Sequence, residues 1–306
     1  MKLHHALPLL AMASAEQQQQ QQHHRRRLDR LTYQSLASPN QQLLDALSQD
    51  GIVSITGIPN FKETKRNLMT HLHACLMDME DDPDAVVPTT QYLRDGTVRR
   101  SIATATLPSS SSSGVSSSGG TMVPQPLHGS IPETTSCTAF KQHADSFRAG
   151  VDMATDAFAE RLSLEMGPSL HSPVMSNEDG SKAFDTIHQL VEGGEHLEHF
   201  HSYQKKNNNN NKSSSSSSGS SAGNLRGEEE EGTISLHTDQ GFFIAFTPGL
   251  IVSHNKSNGT KRSPDLSKGV EMSDGFYVED AEGHRSLLQF EDEDDLVFMM
   301  GDGANQ

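Results

Sequence analysis

The chain has 306 residues, 33% of them hydrophobic, and a formal net charge of -16 at pH 7. That length accommodates one large domain or two small ones. The acidic balance argues against binding a nucleic-acid backbone, which requires clustered Lys and Arg, and no apolar run approaches the ~18 residues of a membrane span.

At the N-terminus, Lys2, the apolar run Ala6 to Ala13 and the small residues Ala13-Ser14-Ala15 read as a short signal peptide over residues 1–15. That reading sends the protein to the secretory pathway or outside the cell. The alternative is a disordered tail continuous with the Gln17–Gln22 tract and the His23–Arg27 cluster, which leaves a cytoplasmic protein. Residues 16–38 read as a disordered linker, with order expected from Pro39-Asn40.

Leu43, Leu44 and Leu47 make a helical apolar face, and Gly51 is a C-terminal stop. Ile52 to Thr56 reads as a strand. Asn60-Phe61-Lys62-Glu63 resembles a capping box opening a helix that carries Leu68, Met69, Leu72, Cys75 and Leu76 on one face. Cys75 and Cys137 are the only two cysteines. They read as buried small apolar residues, or as one disulfide in a secreted chain.

Asp95-Gly96 predicts a turn before a strand from Thr97 to Thr104. Ser and Gly fill 109–120, a flexible insertion. Phe147, Val151, Ala154, Phe158 and Leu162 recur at helical spacing until Gly167-Pro168. Residues 39–170 thus form an N-terminal helical region.

From 171 to 306 the pattern turns to strands. Ile187 to Val191 and Leu197 to Tyr203 read as strands around Gly193-Gly194. Low-complexity insertions occupy 205–232 and 253–271. Thr233 to Phe246 is apolar and β-prone. Gly275 to Val278 and Ser286 to Phe290 predict a hairpin about Asp280–Gly283. The acidic runs Glu228–Glu231 and Glu291–Asp295 read as solvated loops. Leu296 to Met300 is a fully apolar strand before the turn Gly301-Asp302-Gly303. Helices first and strands later predict an α+β fold with a β-sandwich or barrel.

The chemistry centres on His237-Thr238-Asp239. Residues two apart on a strand point to the same side, so imidazole and carboxylate converge. They supply two thirds of the 2-His-1-carboxylate triad of non-haem Fe(II) oxygenases. His143-Ala144-Asp145 repeats the spacing, but within a helical pattern, where the two side chains diverge. On a strand His237, Asp239, Gly241, Phe243 and Ala245 share one face. A carboxylate in so apolar a segment needs a cation or a hydrogen-bond partner, and a metal or a simple His–Asp bond would serve.

His196, His199 and His201 form a second cluster, with His199 and His201 on the strand face of Leu197 and Tyr203. It is not His-Glu-x-x-His on a helix, which disfavours a zincin protease. These histidines read as satisfied residues, with a secreted metal-binding cluster as the alternative. His254, in a polar insertion, and His284, in the hairpin turn, are the only histidines after Asp239. No P-loop, Gly-x-Ser-x-Gly or dinucleotide fingerprint is present.

Several segments in order resemble the isopenicillin N synthase-like branch of the 2-oxoglutarate and Fe(II)-dependent dioxygenases. They are Leu43 to Val53, His237-Thr238-Asp239, Gly275 to Val278 with its turn, and Leu296 to Asp302. The resemblance spans about residues 41–306. It implies a double-stranded β-helix, a jelly-roll or cupin-like barrel, with N-terminal helices. It also implies an oxidoreductase in which Fe(II) and the cosubstrate 2-oxoglutarate activate O2 to oxidise a small organic molecule. His237 and Asp239 match two metal ligands, Tyr203 weakly matches a 2-oxoglutarate contact, and Phe243 would line the substrate pocket. The family's distal His and its Arg-x-Ser follow the Gly-Asp turn. Here only Gly303-Ala304-Asn305-Gln306 do, so the expectation is a truncated barrel lacking its last strands and an impaired enzyme. A non-catalytic barrel that binds a partner or small ligand is the alternative. The sequence leaves the oligomeric state open.

Overall fold

The computed structural model describes residues 24–81, 89–93, 95–108, 122–127, 130–167, 174–175, 183–205, 234, 237–239, 241–251, 271–272, 276–280 and 283–305. Its helices are α1 (Gln41–Asp50), α2 (Phe61–Asp81), α3 (Thr135–Met166) and α4 (Ile187–Gly193). The early strands are β1 (His24–Arg27), β2 (Arg30–Thr32), β3 (Ile52–Thr56), β4 (Thr89–Tyr92), β5 (Thr97–Pro108) and β6 (Met122–Pro126). They are followed by β7 (Val174–Met175), β8 (Ala183–Phe184), β9 (His196–Lys205), β10 (Phe243–Phe246) and β11 (Leu250–Ile251). The last are β12 (Glu271–Met272), β13 (Tyr277–Glu279), β14 (Arg285–Gln289) and β15 (Leu296–Met300).

The fold is α+β, with several separate sheets. One runs β10-β15-β3-β2, a second joins β4 and β6 to β5 with β9 on the other side of β5, and a third runs β1-β14-β13. Pairings within these sheets are antiparallel except β2 with β3 and β1 with β14, which are parallel. Among the described residues the sheets form no closed barrel.

Helices α2 and α3 pack antiparallel. Phe61 lies on Phe147 with ring centroids 5.2 Å apart, His71 on His143 at 4.3 Å, and Cys75 is disulfide-bonded to Cys137. Gly150 faces the Phe61 ring, where a Cβ would sit 3.4 Å away in ordinary van der Waals contact. The aromatic face of α3 then joins two sheets. Phe140 meets Phe200 of β9 edge-on at 5.5 Å, while Phe158 stacks on Phe298 of β15 at 4.1 Å. These rings and the buried leucines of α1 and α2 form the main core, and burial of each large apolar side chain contributes about 2–3 kcal/mol.

The helices α1, α2 and α3, the strands β3, β5, β9 and β15, and the β13–β14 hairpin fall where the sequence pattern puts them. Gly51 ends α1 in the left-handed region at φ 66°.

Other expectations are corrected. Order is present from His24, within the expected linker, because Leu28, Leu31 and Leu36 are buried and β1 and β2 join distant strands. Ile187 to Val191 is the helix α4, capped by Thr186, whose side chain accepts from Gln189 N. Asn60 adopts φ 57°, not the extended conformation of a capping box. The acidic run Glu291–Asp295 is not a solvated loop. Glu293 and Asp295 are buried and clamp the start of α2 to β2.

In that clamp the Asp295 carboxylate accepts from Arg30 Nε at 3.0 Å and Nη2 at 2.9 Å, and from the backbone N–H of Glu291 and Asp292. Lys62 and Arg66 pair with Glu293. Lys65, fully buried, donates to the Glu293 carbonyl at 2.6 Å. The insertions at 109–120, 206–232 and 253–270, and the run Glu228–Glu231, lie outside the described residues.

Candidate functional site

His237 to Asp239 is not part of a regular strand, because β10 begins only at Phe243. The tripeptide is instead held against the turn that follows β15. Gly301 N donates to Phe242 O at 3.0 Å, Asp302 N to Asp239 O at 3.2 Å and Gly303 N to Gly241 O at 2.9 Å. The fit requires glycine, since a Cβ on Gly301 would overlap the Gly241 carbonyl oxygen. Two segments about sixty residues apart, the His-x-Asp and the Gly-Asp-Gly, are thus one local structure.

Within it the two side chains converge, with His237 Nε2 3.3 Å from Asp239 Oδ1. Both are substantially exposed, at 59% and 44% of their side chains, rather than enclosed by apolar neighbours. Among the described residues no third His, Cys or carboxylate joins them in a metal-sized group.

Phe243 lies one strand position beyond this loop. Its ring is partly buried, edge-on to Phe158 at 5.4 Å and beside Phe242 at 5.0 Å. That packing engages it with α3. His284 is in the hairpin turn, as expected; it is 72% exposed and pairs with Asp280. His254 lies outside the described residues. His143 is on α3 and stacks on His71, so His143-Ala144-Asp145 is helical.

No family model matches this chain, and no curated protein matches it either. The site is therefore read from its own chemistry.

A three-residue group that sequence reading missed is Asp156 on α3 with His188 and Glu192 on α4, whose ligand atoms lie within 4.8 Å of one another. The signal was present as His188 and Glu192 four apart, but it has meaning only on a helix, and that segment reads locally as a strand. The closest contacts use different ring nitrogens. Nε2 is 2.7 Å from Asp156 Oδ1, and Nδ1 is 4.0 Å from Glu192 Oε2. A metal takes one nitrogen from an imidazole, so a ring bracketed on both edges is better suited to hydrogen bonding than to ligation. With His188 N donating to Ser163 Oγ at 2.9 Å, the group fastens α4 to α3.

The other histidine cluster is split by the pleat of β9. His196 Nε2 contacts the Val191 carbonyl at 2.8 Å on one face. His199, His201 and Tyr203 share the other, with His199 and His201 centroids 5.5 Å apart and His201 and Tyr203 6.0 Å apart. Burial, the Arg99 guanidinium and His199 together push the His201 pKa down to about 4. At neutral pH its ring is uncharged. Burial raises the Tyr203 phenol, with Arg99 opposing, so the hydroxyl keeps its proton.

Proposed function

We propose that this chain is an oxidoreductase of the Fe(II)- and 2-oxoglutarate-dependent dioxygenase kind. Its strands would belong to a jelly-roll barrel, His237 and Asp239 would hold the iron, and Tyr203 would contact the cosubstrate. The observation that carries this reading is the convergence of His237 and Asp239 on a loop fixed by the Gly301–Gly303 turn. Two cis ligands at bond lengths of ~2.1 Å stand ~3 Å apart, which fits the observed 3.3 Å. One imidazole nitrogen and one carboxylate oxygen are also the ligand types of non-haem iron sites.

When bound, iron with 2-oxoglutarate supplies the O2 activation needed to oxidise a C–H bond of a small organic substrate. The chain's own part is to present one nitrogen and one oxygen from a rigid loop. Two protein ligands, the number found among the described residues, give weaker affinity and a less fixed geometry than three, so turnover is expected to be impaired. The Cys75–Cys137 disulfide and the leader-like residues 1–15 support a secretory or extracellular location. Among the described residues no helix is long and apolar enough to cross a membrane.

The exposure of both ligands favours one alternative, a non-catalytic protein that binds a partner or small ligand and in which His237 and Asp239 are only a surface pair. Succinate release from 2-oxoglutarate separates the two. The proposal expects slow, Fe(II)-dependent release that His237→Ala abolishes. Robust turnover would overturn the impairment, and a rate unaffected by Fe(II) would overturn the enzyme reading.

A further inference from the structure

The face of β5 and β9 that carries Tyr203 holds a cluster the iron loop does not use. In the antiparallel register Arg99 stands opposite Tyr203 and Ser101 opposite His201. Directly paired residues lie on the same face of a sheet. The reverse face carries Ile102 and Phe200, both buried, the latter against Phe140 of α3. Arg99, Ser101, His201 and Tyr203 therefore sit on the side away from that helix. Arg99, Ser101 and His201 are partly buried, and Tyr203 is 47% exposed.

The hydrogen bonds give this cluster a direction. Arg99 Nε donates to Ser101 Oγ at 3.3 Å, and Ser101 Oγ lies 2.6 Å from His201 Nδ1. The hydroxyl has one hydrogen and two lone pairs; when that hydrogen goes to Nδ1, the ring proton lies on Nε2. In that tautomer the groups left over are the Arg99 Nη N–H groups, the His201 Nε2–H and the Tyr203 O–H, each able to donate. Arg30, Arg66, Arg148 and Arg161 each pair with a carboxylate. Arg99 pairs with none among the described residues. A partly buried guanidinium with its fork unused and no carboxylate partner among the described residues is complementary to an anion.

We propose that Arg99, Ser101, His201 and Tyr203 form a binding site for the carboxylate of a small organic acid. The Arg99 fork takes both oxygens, and the His201 and Tyr203 donors engage the remaining lone pairs. Ser101 orients the guanidinium and the imidazole. The one fixed positive charge, beside an uncharged ring, is matched by a single carboxylate group, whose two oxygens fit the planar fork. The site extends the Tyr203 part of the function proposed above and does not require iron.

The test is calorimetric titration of the metal-free, disulfide-intact chain with succinate, in the presence of a chelator. Saturable binding is expected, at least tenfold weaker in Arg99→Gln and clearly weaker in Tyr203→Phe. It should be unchanged in Arg100→Gln, whose side chain is on the reverse face and donates to Gln204 at 3.1 Å. If Arg99→Gln lowers the Tm, Arg99→Lys, which keeps the charge and loses the fork, is read in its place and should also bind weakly. No saturable binding by the wild type, equal losses in Arg99→Gln and Arg100→Gln, undiminished binding by Arg99→Lys, or tighter binding of inorganic phosphate than of succinate would each overturn the site. His237→Ala should leave this titration unchanged, so failure here is distinct from failure of the iron loop.

Discussion

Replacing Lys65 should remove a specific piece of the protein's pH dependence. The Lys65 side chain is fully buried, with Nζ 2.6 Å from the Glu293 carbonyl. Burial pulls its pKa down from 10.5 to about 8, against the attraction of Glu293, Asp295, Asp294 and Asp292. Below about 8 both folded and unfolded chains are protonated at Lys65, and the cost of burying the charge is fully present. Between about 8 and 10.5 the unfolded chain binds more protons than the folded one, so stability rises with pH. At about 1.4 kcal/mol for each pH unit of that interval, the gain approaches ~3 kcal/mol. Lys65→Met keeps the apolar stem and abolishes the titration, at a pH-independent cost of about 1 kcal/mol for the lost hydrogen bond. Urea unfolding followed by far-ultraviolet circular dichroism, from about pH 7 to about pH 10.5, gives the difference in stability between wild type and variant. That difference should move in favour of the wild type by ~3 kcal/mol across the window. A flat difference would refute the buried, charge-penalised Lys65.

On the acid side the same clamp works with opposite sign. The Lys62 hydrogen bond holds Asp292 below the usual carboxylate range; at Glu293, burial pushes upward but the Arg66 and Lys62 hydrogen bonds prevail and hold it low. Their stabilisation is present above the unfolded values and lost as pH falls through the folded ones, so acid unfolding should be less steep in Glu293→Gln than in wild type. The Cys75–Cys137 bond closes a separation of 62 residues. Chain-entropy reasoning gives it about 4 kcal/mol, so the Cys75→Ser/Cys137→Ser chain should unfold at much lower urea and lose any response to reductant. Gly301→Ala should cost about 2 kcal/mol in unfolding experiments and weaken Fe(II) binding in calorimetry, because the new Cβ displaces the loop carrying His237 and Asp239.

Elements whose signal is local were legible. The Leu43–Leu47 face ended by Gly51, the apolar run Leu296 to Met300 and the Asp95-Gly96 turn each carry their own periodicity and stop. Ile187 to Val191 is β-prone in isolation, yet the Thr186 cap and the docking of His188 on α3 make it helical. The order at residues 24–37 was hidden because β1 and β2 pair with strands far along the chain. The acidic turn looked solvated because its partners, Arg30, Lys62, Lys65 and Arg66, are more than two hundred residues away. The candidate site was half legible. The spacing of His237 and Asp239 foretold their convergence, but not that a loop, rather than a strand, would achieve it. The Arg99–Ser101 contribution depends on strand register, which spacing alone does not reveal.

The most direct test of the proposed iron loop is anaerobic Fe(II) titration of the wild type beside His237→Ala, Asp239→Ala and His188→Ala. Binding by the wild type, lost in His237→Ala and Asp239→Ala and retained in His188→Ala, is the predicted result. Binding that survives His237→Ala, or that disappears with His188→Ala, would contradict the assignment and move the metal to the α3–α4 junction or off the protein altogether.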